Sequence, residues 1–500
     1  MLAPFRFYWV VAVSGAIFMA FEILSSRILA PHFGSSVYVW GSIISIFLAA
    51  LSLGYAWGGR LADRQPRMPI LGRLITFAAV FQAVLLLWGV RLAGLLADLT
   101  GGSPAGTLLA ASVLFGPTSI LFGTVSPYAV RLAARDLAQV GNTAGRLYAL
   151  STLGSLAGTL VCTFVLIPFL ELHQILGLLL GLTALTGGLA LVEQARAERP
   201  ALALAVALAV LAGVGVAGGP RAETGVLLQR ITPYQSLRVL EGQGKRTLQS
   251  DRINQGAVQL ADGEPGLTYP RYAAAALLMN PEIRSLLVLG MGSGSVGSYL
   301  QRRLPELRVD YVEIDPAIPE LARRFLLFRD NALTRIEIAD GRRFLSSSGE
   351  RWDYIYCDAY IGHAIPFHLT TIEFMRTVRE HLTPEGIFGF NISGNLDLPF
   401  PQAIYRTVAA AFPFVTGFAV AGSDNHLLLG VPHTSWVPEE RLVERGRELD
   451  RRWSFDPPLA EVARRRIAVD LELSEIPALS DAYAPVEYLV LVSSEVPTAR

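Results

Sequence analysis

The sequence predicts a multi-pass α-helical membrane domain, then a small β-hairpin domain, then an α/β doubly wound domain. Three observations lead to this fold class. Long apolar runs fill residues 1–217, charged residues are concentrated after residue 220, and strands alternate with helices after Pro281. Of the 500 residues, 52% are hydrophobic and 17% are charged, and the mean hydropathy is +0.42. These values exclude a disordered chain and are too apolar for an ordinary soluble enzyme.

The net charge of zero hides an asymmetry between the two halves. Residues 1–220 contain 12 arginines and 7 acidic residues, for a net charge of +5, and the remainder contains 30 basic and 35 acidic residues, for a net charge of −5. The zero total excludes a globally basic nucleic-acid binder. Of the two cysteines, Cys162 lies in an apolar run and Cys357 in a predicted buried strand, and they offer neither a disulfide framework nor a cysteine metal site.

Seven apolar runs in the first domain, residues 1–217, are long enough to cross a bilayer, which takes roughly 20 residues each. They lie near 7–29, 37–57, 70–96, 107–130, 147–168, 173–192 and 201–217. Glu22 and Arg27 lie within or at the edge of the first run, where ionisable groups are either paired or functional.

Residues 218–225 read as a linker because they are rich in Gly and Pro. A small β-rich domain is predicted at 226–280, with strands at 236–241 and 245–250 joined by a Gly-Gln-Gly turn.

A doubly wound domain is predicted at 281–490, because continuous apolar strands there alternate with helices, as in mostly parallel sheets. The predicted strands are 285–290, 308–315, 335–339, 352–358 and 386–392. The predicted helices follow the glycine-rich turn after 290 and span 316–328, 370–381 and 401–412, and a hairpin of 414–420 with 425–431 closes the series.

Polar or glycine residues end four of these strands in succession. A G-x-G-x-x-G pattern at Gly292, Gly294 and Gly297 follows Gly290 between a strand and a helix, where the backbone can approach a ligand closely. Glu313 ends the second strand, where a carboxylate can accept both hydroxyls of a ribose. Asp340 with Gly341 ends the third strand, within reach of an adenine, and Asp358 ends the fourth. This order predicts an adenosyl site without a pyrophosphate, so it fits S-adenosylmethionine-type cofactors better than NAD.

Residues 226–490 resemble the spermidine synthase (polyamine aminopropyltransferase) family, and the whole chain resembles its membrane-anchored fused subgroup. The segments that carry the likeness are Tyr234-Gln235, Leu237–Glu241, Asp251–Gln255, Leu267–Pro270, Val312–Asp315, Asp340-Gly341 and Asp358–Gly362, with Glu22–Arg27 and Asp481–Glu487 pointing to the fused subgroup. The resemblance implies a Rossmann-like, methyltransferase-type fold.

The resemblance also implies roles for individual residues. Decarboxylated S-adenosylmethionine, or S-adenosylmethionine itself, would be the co-substrate, with no metal. Asp358 would accept a proton and Tyr269 would orient the amine. His363, which stands where the fused subgroup often has an aspartate, and Pro366 are further candidates for the substrate site. The residues implied or predicted to hold the co-substrate are Gln255, Gly290, Gly292, Gly294, Glu313, Asp340 and Gly341.

Several positions depart from the family pattern. Arg252 replaces a glycine, and Ser293, Ile361 and Pro270 replace three polar groups that would anchor a polycation. The residues expected to bind the adenosyl donor are therefore all present, whereas the identity of the acceptor amine does not follow from the sequence.

Three functions are compatible with these residues. The first is a membrane-anchored aminopropyltransferase that makes spermidine and methylthioadenosine from an amine such as putrescine. The second is an S-adenosylmethionine-dependent methyltransferase acting on a hydrophobic or membrane substrate. The third is a polyamine transport or sensing protein with a non-catalytic nucleotide-binding-like domain.

The expected partners are a small-molecule amine and the lipid bilayer, with no nucleic acid and with a homo-oligomer left open. The expected location is the cell membrane, but two arguments disagree on the side of the soluble half. Arginine-rich loops at 60–73, 131–146 and 193–200 belong in the cytoplasm, which puts the segment after seven spans outside. The supply of a cytosolic adenosyl donor favours the cytoplasmic side.

Overall fold

The chain divides into two compact units, each with its own hydrophobic core. The first unit comprises Met1–Ala222 with Arg230–Ser236, and the second comprises Glu223–Gln229 with Leu237–Arg500. The computed structural model describes residues 2–34, 36–134, 140–217, 225–360, 365–432, 437–467 and 476–495.

The first unit is built from helices. A π-helical segment, Cys162–Leu166, joins the sixth helix to the seventh. The helices are α1 (Leu2–Phe33), α2 (Val37–Arg64), α3 (Met68–Thr100), α4 (Pro104–Gly123), α5 (Val125–Ala133), α6 (Val140–Val161), α7 (Ile167–Phe169), α8 (Leu172–Leu191) and α9 (Arg199–Ala217).

Seven helical segments in the described residues are long and apolar enough to cross a membrane. They are Arg6–Phe33, Val37–Arg64, Met68–Thr100, Pro104–Ala133, Val140–Phe169, Leu172–Leu191 and Arg199–Ala217. Each predicted apolar run overlaps one of these segments. Length and composition alone support the spans, so membrane crossing itself stays a prediction.

Arg27, near the end of α1, contacts a segment distant in sequence but in the same unit. Its guanidinium donates hydrogen bonds of 2.8 Å to the carbonyl oxygens of Thr232 and Pro233. The Thr232 hydroxyl in turn accepts hydrogen bonds from the backbone N–H groups of Tyr234 and Gln235, which closes a compact turn.

The second unit contains two sheets, except that the last two residues of the first strand and the first residue of the second strand belong to the first unit. Its strands are β1 (Val226–Ile231), β2 (Ser236–Gly242), β3 (Lys245–Ser250), β4 (Ile253–Gln259), β5 (Ser285–Leu289), β6 (Arg308–Glu313), β7 (Thr334–Ile338), β8 (Trp352–Cys357), β9 (Leu382–Ser393), β10 (Phe414–Ala419), β11 (Asn425–Val431) and β12 (Arg466–Ile467). Its helices are α10 (Tyr269–Tyr272), α11 (Ser295–Arg303), α12 (Ala317–Phe325), α13 (Gly341–Ser347), α14 (Ile372–Glu380), α15 (Pro399–Ala411), α16 (Glu439–Arg452), α17 (Leu459–Ala463) and α18 (Val486–Glu495).

The larger sheet has the strand order β12-β10-β11-β9-β8-β5-β6-β7. Strands β5 to β9 pair in parallel, and β10 and β11 form the predicted hairpin, with β11 antiparallel to β9. The smaller sheet has four strands in the order β1-β2-β3-β4. Buried side chains cover both faces of the parallel strands, which explains why their sequences are continuously apolar.

The observed elements differ from the predicted ones at three places. The segment from Tyr269 to Leu278, placed in the β-rich domain, forms α10 and a 3₁₀ helix whose alanines and leucines are buried. Strand β9 starts at Leu382, four residues before the predicted start, because the pairing register with β8 shifts and accommodates the Pro384–Glu385 step. Helix α12 ends at Phe325, since Leu327 adopts a left-handed backbone conformation with φ of 56°.

Candidate active site

The site is built where the connections of the parallel sheet change direction. Strands β5 and β8 are neighbours, and the chain runs from β5 outward to β6 and β7 before it crosses back to β8. Ligands of doubly wound sheets bind at the carboxyl ends of the strands at such a point. Here Gly290 follows β5 and Asp358 follows β8, and the Asp358 N–H donates to the Leu289 carbonyl at 2.8 Å.

Gly290 cannot carry a side chain in this arrangement. Its φ of +90° lies in the left-handed region, and a Cβ atom would lie 2.5 Å from the backbone oxygen of Asp358. Glycine therefore lets the turn after β5 approach the turn after β8 closely.

The rest of the glycine-rich turn packs against β4 of the smaller sheet. At Gly292, with φ of +52°, a Cβ atom would lie 3.0 Å from the Gln255 backbone oxygen. Gly294, with φ of +72°, is the N-cap of α11. The turn thus places half-buried Gln255 at the same edge of the larger sheet as Gly290 and Asp358.

Glu313 lies at the end of β6 and is 8% exposed. Its carboxylate accepts hydrogen bonds of 3.0 Å from the backbone N–H groups of Met291 and Asp315. Burial raises the pKa of Glu313, although these backbone donors oppose the rise. The carboxylate is thereby fixed beside the glycine-rich turn, and its remaining lone pairs can accept ribose hydroxyls.

Asp340 follows β7 and caps helix α13. One carboxylate oxygen accepts from the Arg343 N–H at 2.9 Å, and the other lies 2.8 Å from Nε2 of His368. Burial would raise the pKa of Asp340, but these two hydrogen bonds outweigh it and hold the pKa below its usual value. Gly341 is the first residue of α13, and an added Cβ atom would lie 3.5 Å from Leu289 of β5.

Asp358 directly follows β8 and receives hydrogen bonds from two other elements. Asn391 of β9 donates to its Oδ1 at 2.8 Å, and Tyr269 also hydrogen-bonds to its carboxylate. Burial raises the pKa of Asp358 to about 7, and these two donors limit the rise. A group with that pKa is matched to proton transfer near neutral pH.

Tyr269 begins helix α10 and is half-buried. Its hydroxyl lies 3.2 Å from the Gln255 backbone oxygen as well as within reach of Asp358. Burial and the Asp358 charge raise the pKa of Tyr269 well above its usual value, so the hydroxyl keeps its proton.

The structure brings most of the predicted residues to one edge of the larger sheet. Two amide side chains near this edge were not among the predicted site residues. They are Asn391, which is 4% exposed, and Asn425. The sequence signal that could have indicated Asn391 is its amide side chain between Phe390 and Ile392 in an otherwise apolar strand. Pro366 directly precedes the 3₁₀ helix that carries His368, while His363 and Ile361 lie outside the described residues.

Ser293 and Pro270, two of the departures from the family pattern, have structural positions. Ser293 is 6% exposed, and its hydroxyl contacts that of Ser295, which also meets the Ala257 carbonyl. Pro270 lies in the first turn of α10, where a missing N–H costs nothing. Among the described residues, no three His, Cys, Asp or Glu side chains are grouped so as to hold a metal ion.

Comparison with known proteins shows that the second unit is similar to transferases. The family described as "Methyltransferase domain" matches residues 287–388. The chain is 32% identical over 189 residues to the polyamine aminopropyltransferase of Vibrio vulnificus, which covers 36% of this chain and 63% of that protein. It is 31% identical over 221 residues to a probable polyamine aminopropyl transferase of Bifidobacterium longum, covering 43% and 46% of the two chains.

A third relative has a different named activity. The chain is 30% identical over 188 residues to the human eEF1A lysine and N-terminal methyltransferase, covering 34% of this chain and 26% of that protein. The chain thus spans from about a quarter to just under two thirds of the length of these relatives. The resemblance to the spermidine synthase family is confirmed, whereas the membrane-anchored fused subgroup stays a prediction.

Proposed function

We propose that this chain is a membrane-anchored polyamine aminopropyltransferase. It transfers an aminopropyl group from decarboxylated S-adenosylmethionine to an amine such as putrescine, and yields spermidine and methylthioadenosine. The observation that carries the proposal is the carboxyl group of Asp358, whose pKa is raised to about 7 at the edge that also holds the glycine-rich turn and Glu313.

The donor would lie across the carboxyl ends of β5, β6 and β7. Glu313, held by two backbone N–H groups, would accept the ribose hydroxyls. Asp340 and Gly341 would border the adenine, and Gln255 would face the donor across the glycine-rich turn, where its backbone meets Gly292. This arrangement leaves the sulfonium end of the donor towards Asp358.

The reaction needs one proton acceptor and careful positioning. The acceptor amine has a free pKa near that of lysine, roughly 10, so it arrives as an ammonium ion. The ionised Asp358 carboxylate binds that ammonium and takes one proton, and the freed lone pair attacks the methylene carbon next to sulfur. The carbon–sulfur bond breaks, and its electron pair stays on sulfur in methylthioadenosine.

Tyr269 would orient the amine during this step. Its hydroxyl stays protonated, because its pKa is well above the usual value, and it lies between Asp358 and the Gln255 carbonyl. Because the Tyr269 hydroxyl is a neutral hydrogen-bond donor, it leaves the negative charge of Asp358 available to the amine. Holding the amine in position lowers the barrier of the reaction.

A methyltransferase is the second candidate, and two findings favour it. The matching family is described as a methyltransferase domain, and one relative carries a methyltransferase name. Both reactions displace a thioether from a sulfonium carbon, so they differ in the donor and product rather than in the fold.

Product identification tests the proposal. The purified full chain in detergent is given decarboxylated S-adenosylmethionine or S-adenosylmethionine, each with a panel of amines, and the nucleoside products are separated. We expect methylthioadenosine and an aminopropylated amine only with the decarboxylated donor. Release of S-adenosylhomocysteine instead would establish the methyltransferase, and binding of a donor without either product would favour a sensing or transport role.

A further inference from the structure

A chain of amide side chains leads from the surface to Asp358. Asn391 Nδ2 donates to Asp358 Oδ1 at 2.8 Å, and Asn425 Nδ2 donates to Asn391 Oδ1 at 3.0 Å. The exposed Ser423 hydroxyl contacts Asn425 Oδ1 at 2.6 Å. We name Ser423, Asn425 and Asn391 the amide relay.

The direction of the relay follows from the chemistry of its inner end. An ionised carboxylate only accepts hydrogen bonds, so Asn391 must present its NH₂ group to Asp358. The carbonyl oxygen of Asn391 then points away and needs a donor, which is the NH₂ group of Asn425. The carbonyl oxygen of Asn425 finds its donor in the Ser423 hydroxyl. Each amide thus fixes the orientation of the next.

The backbone holds the relay in place. Asn391 lies on β9 and is 4% exposed, and Asn425 is the first residue of the antiparallel strand β11. The Tyr360 hydroxyl donates to the backbone carbonyl of Asn391 at 3.2 Å and accepts from the backbone N–H of Ser393 at 3.0 Å. The turn that carries Asp358 is therefore attached to the same strand as Asn391.

We infer that the amide relay is a positioning device that keeps one oxygen of Asp358 hydrogen-bonded and the carboxyl group ionised, so that the other oxygen receives the proton of the acceptor amine. The inference rests on the proposed function for the role of that proton. A relay of neutral amides suits this task, because it donates to the carboxylate without adding a charge that would compete with the ammonium ion.

Among the described residues, the other titratable groups that face Asp358 do not change charge near pH 7. They are Tyr269 of α10, Tyr356 and Cys357 of β8, and Tyr360 of the following turn. Burial raises the pKa of each, to about 12 for Cys357, so all four stay neutral. The relay and Tyr269 are then the hydrogen-bonding partners that favour the ionised form of Asp358 against burial.

Two variants test the relay. Asn391→Ala removes the donor to Asp358. Asn425→Asp changes no atom that touches Asp358, but an ionised carboxylate at position 425 forces the Asn391 amide to turn and present its oxygen to Asp358. We expect each variant to raise the midpoint of Asp358 ionisation by about one pH unit, since a hydrogen bond to a charged group is lost.

Asn395→Asp is the matched control. It introduces the same charge four residues after Asn391, on an exposed side chain whose oxygen accepts from the Asp397 N–H, a role that aspartate retains. We expect no shift of the midpoint in this variant. Asn391→Ala adds no charge, so a shift in that variant separates the lost hydrogen bond from the repulsion of a carboxylate introduced at position 425.

The midpoint is read in two ways on the full chain. Infrared difference spectra, with Asp358→Asn as the reference, follow the carbonyl stretch of the protonated carboxyl group as the pH changes. The acid limb of kcat against pH should move with it. An infrared midpoint that is equal in the wild type, Asn391→Ala and Asn425→Asp would overturn the relay. If the proposed function is wrong, no aminopropylated product forms. The infrared midpoints still decide whether the relay acts on Asp358 in that case, because they do not depend on turnover.

Discussion

At the residue scale, the sequence places Asp358 but does not give its chemistry. The position follows from an apolar strand that ends in an acidic residue, and the structure has Asp358 directly after β8. Its pKa of about 7 depends on burial and on donors from α10 and β9, which are distant in sequence. Periodicity predicts which residues end strands, but not which side chains from other strands then surround them.

This pKa leads to a prediction for the pH dependence of turnover. Burial raises the pKa of Asp358, so the carboxyl group is protonated below pH 7 and cannot accept a proton from the amine. We expect kcat to rise with pH through about 7, and to fall about tenfold for each pH unit below it. The measurement is methylthioadenosine release at saturating substrates between pH 5.5 and 8.5.

Two variants and one incubation serve as controls for this profile. Asp358→Asn should abolish turnover but still bind the donor in calorimetry, while Asp330→Asn, which breaks an exposed pair with Arg323, should leave the profile unchanged. Enzyme held at low pH and assayed at pH 8 should recover fully. A flat kcat profile in the wild type would refute the role of Asp358 as the proton acceptor.

At the element scale, the turn between β3 and β4 adopts a conformation that its sequence does not favour. Asp251 and Arg252 both have positive φ, of 46° and 68°. A two-residue turn of this kind favours glycine at the second position, as in the turn between β2 and β3, where Gln243 precedes Gly244. The departure from the family pattern at Arg252 thus coincides with a strained residue three positions before Gln255.

We expect Arg252→Gly to stabilise the protein. A non-glycine residue in the left-handed region costs about 1–2 kcal/mol, and the greater freedom of glycine in the unfolded chain offsets part of the gain. The net increase in the free energy of unfolding should be about 1 kcal/mol, measured by denaturation of the full chain in detergent. Arg252→Ala is the control, since it removes the side chain but keeps the strain. Equal stability of the two variants would contradict the argument.

A second element-scale feature links α13 to a segment near the C-terminus. Arg342 makes a bidentate pair with Asp481, at 2.7 and 2.6 Å, and also donates to the His368 carbonyl at 3.0 Å. The Thr371 hydroxyl donates to the same Asp481 carboxylate at 2.7 Å. The pair with Arg342 lowers the pKa of Asp481. The start of α13, where Asp340 lies, is therefore fixed by residues more than a hundred positions away.

We expect Asp481→Asn to weaken donor binding through Asp340 rather than to change the chemical step. Because the pair is partly exposed, its loss should cost at most about 1 kcal/mol, or about a two- to fivefold increase in KM for the donor with kcat unchanged. Asp330→Asn breaks a similar pair with Arg323 away from the site and should leave KM unchanged. A fall in kcat with constant KM would contradict this role.

The larger sheet could be predicted further than the elements beside it. Its five parallel strands have continuously apolar sequences, so the predicted strands begin and end within a few residues of the observed ones. The segment from Tyr269 to Leu278 was placed in the β-rich domain because the four consecutive alanines at 273–276 carry no amphipathic pattern. These alanines are all buried and belong to the 3₁₀ helix that follows α10. The partnership of Arg342 with Asp481 has no local signal, since only the folded chain brings the two positions together.

At the scale of the whole molecule, the predicted membrane topology depends on one helix, α9. Arg73, near the start of α3, donates to Glu198 at 2.8 Å, so the segment before α9 lies beside the start of α3. A bilayer crossed by these helices would therefore have both segments on one side. The arginine rule assigns this side to the cytoplasm. Helix α9 has 19 residues and is about 28 Å long, which is only just enough to cross the hydrocarbon core.

We predict that reporters fused after residue 196 and at the C-terminus both lie in the cytoplasm. The proposed reaction consumes an adenosyl donor made in the cytosol, which puts the soluble half there, and the first position follows from the arginine-rich loops. A fluorescent protein should then fluoresce, and a phosphatase should stay inactive, at both positions. A phosphatase active only at the C-terminus would show that α9 crosses the membrane, and the argument from donor supply would fail. Matched fusions at the loop of residues 101–103, which the same rule places outside, should give an active phosphatase and calibrate both readouts.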